Sequence, residues 1–201
     1  MAWQKLGSTK LTTAADTITV DGFTAKKNLM IQIHTMGVGA INNRLRFNND
    51  SGNNYAYRIS GNGGSDSTTT SHSGIPFGNG NTQDPDNAFD DIYVINEQTK
   101  EKLVIGHTIT DEGTGAGNAP QRNEVVGKWV NTSNAITRVD LVNTSTGDFA
   151  ADSEITVYGT DSDSVGGDPV PSCNLQTNSI WEDSTNGNHY IWTGSEWTEV
   201  A

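Results

Sequence analysis

The chain has 201 residues, of which only 33% are hydrophobic, with a formal net charge of −12 and a single cysteine. That length holds one substantial domain plus an appendage, and 12 scattered basic residues against 24 acidic ones exclude a phosphate-binding surface for nucleic acid. A lone Cys173 excludes an intrachain disulfide and a CxxC metal site, and it stands in no recognisable nucleophile signature.

From the N-terminus, residues 1–8 show no positive region followed by an apolar run. No later stretch approaches the roughly 18 apolar residues of a membrane span. The expectation is a chain made in a cytoplasm, without a secretory signal and without a membrane partner. Strand signals then follow one another. Residues 17–21 alternate apolar and polar up to Gly22, and residues 29–36 put Leu29, Ile31 and Ile33 on one face. Residues 44–48 place Leu45 and Phe47 opposite two arginines. With the turn at 49–53 and a return over 55–60, they read as a hairpin with its basic residues to one side.

Residues 61–80 are rich in Gly, Ser, Thr and Asn and read as a long loop, with a weak strand near 70–75. Residues 90–96 and 102–109 flank a short connection and form a second hairpin. After a glycine-rich loop at 111–120 come strands at 124–130, 136–142 and 154–158, the last two separated by turn residues at 144–148. About ten short strands at even spacing, with no helix-period segment, predict an all-β fold. Long crossing loops point to a β-sandwich of jelly-roll or Greek-key type.

The composition changes after residue 160. Residues 161–172 are a Gly/Asp/Pro linker, and residues 173–201 hold three tryptophans and a tyrosine between tight-turn signals. The predicted organisation is a sandwich at 1–160, the linker, and a Trp-rich β-meander at 173–201. In the meander, Tyr190 and Trp192 fall on one strand face, and Trp181 and Trp197 flank them. Flat rings on one face can anchor an interface or stack on a sugar. A meander without an aliphatic core also needs such rings to hold itself together.

Signals for chemistry are weak. His34, His72, His107 and His189 show no metal-ligand spacing. The glycines at 113–117 lack the Lys-Ser/Thr ending of a phosphate loop, there is no G-x-S-x-G elbow, and no carboxylate pair is marked as a glycosidase couple. Asp84, Asp86, Asp90 and Asp91 gather in one short stretch and make a calcium site conceivable, though they match neither the EF-hand nor the nonapeptide calcium pattern. No other cofactor is expected. The three N-x-S/T sequons read as products of an Asn/Ser/Thr-rich composition.

Four segments, AWQKLGS at 2–8, DTITVDGFTAKK at 16–27, LRFNNDSGNNYA at 45–56 and KLVIGH at 102–107, resemble uncharacterised virion structural proteins of tailed phages and related environmental viruses. The pattern SIWEDS at 179–184, HYIW at 189–192 and SEWTE at 195–199 is similar to short modules that end phage virion and fibre proteins. The resemblance implies a β-sandwich or jelly roll assembled as oligomers on a particle, without enzymatic activity. It gives three expectations: a capsid decoration (cement) or fibre component on the virion surface; a homo-oligomer, with a trimer expected; and as partners the major capsid or another virion protein, or a host-surface glycan. A carbohydrate-binding module is the alternative, and a hydrolase of host polysaccharide is a third reading.

Overall fold

The computed structural model describes residues 3–77, 87–111, 113, 115–161, 177–183 and 187–200. These residues contain fifteen strands and no helix. They belong to two compact units, one spanning Trp3–Thr160 and one holding the described residues beyond 160.

In the first unit a large antiparallel sheet runs in the order β1 (Gln4–Lys10), β12 (Glu154–Thr160), β3 (Asn28–Val38), β7 (Asn87–Ile95), β8 (Lys102–Thr110), β9 (Gln121–Trp129), β5 (Tyr55–Gly61), β6 (Ser67–His72). The two-residue β11 (Asp148–Phe149) adds to β3. A smaller sheet of β2 (Thr17–Val20), β10 (Val139–Asn143) and β4 (Asn43–Phe47) supplies the second layer. Strand order departs from chain order where β12 inserts between β1 and β3 and where β5 lies beside β9. These long returns are the crossing connections that the loop lengths predict.

Alternation in the sequence becomes alternation in burial. On β3, Leu29, Ile31 and Ile33 are fully buried while His34 on the opposite face is exposed. Inward residues of the large sheet, among them Ile92, Val104, Val125, Trp129, Ile155 and Val157, join Ile18, Leu45, Phe47, Val139 and Leu141 of the small sheet in one apolar cluster. The molecule is therefore a β-sandwich, with its core between two unequal layers.

Three expectations need correction. Strands β4 and β5 are not a hairpin: β4 pairs with β10 and β5 with β9 and β6, so the chain crosses between sheets at residues 48–54. Asn48 and Asn49 sit in the left-handed region, with φ of 51° and 58°, which turns the chain out of the small sheet. The Asn48 carboxamide then ties the turn to residues 135–138. Asp50 accepts the indole N–H of Trp129 at 2.7 Å, anchoring the loop on β9.

The weak strand expected at 70–75 lies earlier, at Ser67–His72. Ile75 instead exchanges both backbone hydrogen bonds with Leu45, at 2.8 and 3.0 Å. The segment at 75–77 crosses inside the sandwich over glycines: a β-carbon on Gly106 would stand 2.5 Å from the Phe77 ring, and one on Gly127 would stand 2.8 Å from Ile75. Finally, β1 was not expected at all. It is an edge strand without a fully buried residue, so its sequence carries no alternation.

Candidate interaction surfaces

The second unit is a three-stranded antiparallel sheet of β13 (Ile180–Asp183), β14 (Asn188–Trp192) and β15 (Trp197–Val200). Its register pairs Trp181 with Tyr190 and Trp192 with Trp197, which places all four predicted rings on one face. They form one cluster. Trp181 stacks on Tyr190 with centroids 5.0 Å apart, and Trp197 touches both Trp181 (6.1 Å) and Trp192 (5.5 Å) at interplanar angles of 58° and 59°.

All four rings are only half-buried. The turn between β14 and β15 is closed by Gly194 at φ 103° and by the Thr193 hydroxyl, which accepts from the Glu196 N–H and donates to the Glu196 carbonyl. On the opposite face Ile180 is 74% exposed and Val200 is 47% exposed. The rings therefore supply the apolar packing of this sheet, and the indole N–H of Trp181 is buried without a hydrogen-bond partner among the described residues.

The acidic stretch behaves differently. Asp84 and Asp86 lie outside the described residues. Asp90 and Asp91 are neighbours on β7 and point to opposite faces of the sheet, so those two carboxylates do not converge on one cation. Asp90 is fully buried and accepts the Thr108 hydroxyl at 2.5 Å; its other oxygen has no partner. Burial pushes its carboxyl up to about 7, against the opposing effect of the Thr108 bond. Asn123 and Thr110, on the same inner face of β9 and β8, also hold a buried polar atom without a partner.

The histidines are dispersed. His34 meets Asn87 at 2.6 Å, His72 meets the Gly74 carbonyl at 2.8 Å, and His189 lies 3.6 Å from Glu182. Among the described residues no group of three or more His, Cys, Asp or Glu side chains is placed to hold a metal. Among the same residues no helix is long and apolar enough to cross a membrane.

A second surface escaped the sequence reading. The outward face of β7, β8 and β9 exposes Phe89, Tyr93, Ile95, Leu103, Ile105, Ile109 and Val126, each between 42% and 58% accessible. The register sets Tyr93, Ile105 and Val126 in one row across the three strands, with Phe89 beside Ile109 and Ile95 beside Leu103. Trp3 packs edge-on against Tyr93 at 6.4 Å. A row of Asp91, His107 and Glu124 crosses the same face. At the β9 side the patch meets an open depression of about 450 Å³ lined by Leu103, Val126, Ala56, Arg58 and Lys128. The signal for this face lay in the unbroken apolar runs Ile92–Ile95 and Leu103–Ile105. Such runs mark strands that are apolar on both sides.

No protein-family model, curated protein or solved structure matches the chain.

Proposed function

We propose that this protein is a non-enzymatic virion surface protein of phage type, a capsid decoration (cement) subunit or a fibre component, acting by oligomerisation and adhesion. The observation that carries the reading is the second unit: a small sheet with four clustered, half-buried aromatic rings on one face, joined to a sandwich with a core of its own. Half-buried aromatics clustered on a rigid strand pair are efficient anchors, because they bring large contact area at little cost in side-chain entropy. Net charge of −12 keeps many copies soluble before assembly.

The tilt of the rings favours a protein partner over a sugar. Only Trp181 and Tyr190 lie near parallel, at 30°, and Trp197 is turned by 58° and 59° from its two tryptophan neighbours, so the four rings form no single extended platform for a chain of sugars. A faceted aromatic surface fits an irregular protein pocket better. The partner expected is the major capsid protein or another virion protein.

The test is deletion of residues 173–201, followed by co-sedimentation of the sandwich with its source particle and imaging by electron microscopy. The truncated chain should stay folded and lose particle attachment. Undiminished attachment removes the adhesive role of the rings. Saturable quenching of tryptophan fluorescence by a glycan, abolished in Trp192→Ala, would transfer the role to carbohydrate binding.

A further inference from the structure

We propose that the outward face of β7, β8 and β9 seats the same face of a second copy of this chain. The inference rests on the oligomeric reading above and replaces the trimer expected there with a two-fold dimer, because a face that packs on its own image closes as a pair. It stands on area and on charge arrangement.

Tyr93, Ile95, Leu103, Ile105 and Val126 form a continuous apolar patch on the order of 400 Å², within the range of the largest apolar patch on an ordinary monomer. Phe89 and Ile109 lie beyond the Asp91–His107–Glu124 row. With these two and the polar groups at its margin, the face approaches the roughly 800 Å² that each partner gives to a standard protein–protein interface. The patch is also flat and regular, since it lies on three adjacent strands in continuous register. A sheet face of this kind packs best on another sheet face with nearly aligned strands.

Charge then selects a second copy as occupant. On β9, Lys128 and Glu124 stand two residues to either side of Val126, all three facing outward. A two-fold axis running across the strands through the Tyr93–Ile105–Val126 row lays that apolar row on its own image. The same operation exchanges the positions of Lys128 and Glu124. Each lysine therefore meets a glutamate of the other copy, twice per dimer, as a self-complementary contact requires. The row bearing Asp91, His107 and Glu124 comes opposite the row bearing Ile95, Leu103 and Lys128. The charge of Asp91 raises the phenol pKa of Tyr93 on its own chain, and Asp91 Oδ1 is buried without a hydrogen-bond partner among the described residues. Lys128 already holds Glu101 at 2.8 Å with both side chains about 40% exposed, which leaves its ammonium room for a second carboxylate.

Sedimentation velocity on the full chain over a concentration series tests this. The wild type should show a concentration-dependent dimer, and Ile105→Lys should be monomeric with an unchanged far-ultraviolet circular dichroism spectrum. Leu103→Asp should behave alike. Lys128→Glu and Glu124→Lys should each weaken the dimer about tenfold, and the double exchange should restore it in part, because Lys128 and Glu124 meet only across the axis while Lys128→Glu also sets a carboxylate against Glu101 on the same chain. A wild type that stays monomeric overturns the proposal, as does a dimer indifferent to Ile105→Lys or a charge exchange that restores nothing. Loss of particle attachment in Ile105→Lys without any change in self-association assigns the face to another protein and overturns it equally. Oligomers that survive Ile105→Lys leave the adhesive reading of the chain standing, so the two failures are distinguishable.

Discussion

The sandwich and the C-terminal sheet solve the same problem with different means. The sandwich buries 23 apolar side chains in one cluster, most of them aliphatic and β-branched, drawn from two layers. The C-terminal sheet is a single layer of three short strands and relies on Trp181, Tyr190, Trp192 and Trp197 for its packing. A two-layer fold can bury small residues completely because each layer shields the other. The small sheet uses large rings, which stack and tilt against one another and stay partly accessible. The difference teaches that, if the small sheet is the adhesive unit proposed above, its stability and its adhesion rest on the same atoms.

The strongest way to break that contrast is to attack the buried Phe47–Tyr55–Trp129 cluster, where the sandwich also leans on aromatics. Trp129 is buried, lies 5.9 Å from Phe47 and 6.4 Å from Tyr55, carries the Lys102 ammonium 5.8 Å over its ring, and donates to Asp50. Trp129→Ala leaves a large cavity and releases the 48–54 loop, so it should cost about 4 kcal/mol in denaturant unfolding. Trp129→Phe keeps most of the packing and loses the indole N–H, at a cost of about 1–2 kcal/mol. Equal costs for the two variants would show that the Asp50 anchor, and not the ring, holds this corner.

What was legible in the sequence follows the same division between face and partner. Alternation in residues 29–36 sets Leu29, Ile31 and Ile33 on one face, and the structure buries that face at all three. The hairpin of β7 and β8 was also legible, because its short connection leaves few alternatives. Alternation tells which side of a strand is apolar, never which strand lies beside it. For that reason Leu45 and Phe47 were assigned correctly to the core while β4 was given the wrong neighbour. Of the aromatic site, the shared face of Tyr190 and Trp192 was readable from spacing. The contact of Trp181 and Trp197 with them depends on cross-strand register, which no local pattern encodes. The acidic stretch shows the converse: proximity in sequence put Asp90 beside Asp91, and strand geometry put them on opposite faces.

A second test asks how apolar the sandwich interior is in practice. The raised Asp90 carboxyl, at about 7, binds a proton in the folded state between about pH 4 and 7, where an unfolded chain has already released it. The folded state then holds more protons than the unfolded one, so stability should fall as pH rises through this window and level off above it. Urea unfolding at pH 5 and pH 8 should show a decline on the order of 2–3 kcal/mol. Asp90→Asn keeps an acceptor for the Thr108 hydroxyl and cannot ionise, so its stability should be nearly flat over the same range. A wild-type curve as flat as that of the variant would mean that the carboxylate is solvated in place.

The smallest effects test the aromatic sheet against its own back face. Trp197 touches two other tryptophans, whereas among the described rings Trp192 packs against Trp197 alone. Trp197→Ala should therefore remove about 2 kcal/mol of local stability, which exceeds what a three-stranded sheet with no second layer holds in reserve. Amide exchange in β14 should accelerate to near the unprotected rate, with Trp192→Ala producing a weaker version of the same change. Ile180 is the decisive control. It adjoins Trp181 in the chain but faces the other side and is 74% exposed, so Ile180→Thr, which retains a β-branched side chain, should change stability by less than about 0.5 kcal/mol. If Ile180→Thr loosened β14 as much as Trp197→Ala did, the rings would not be what holds the sheet, and they would be left free for adhesion alone.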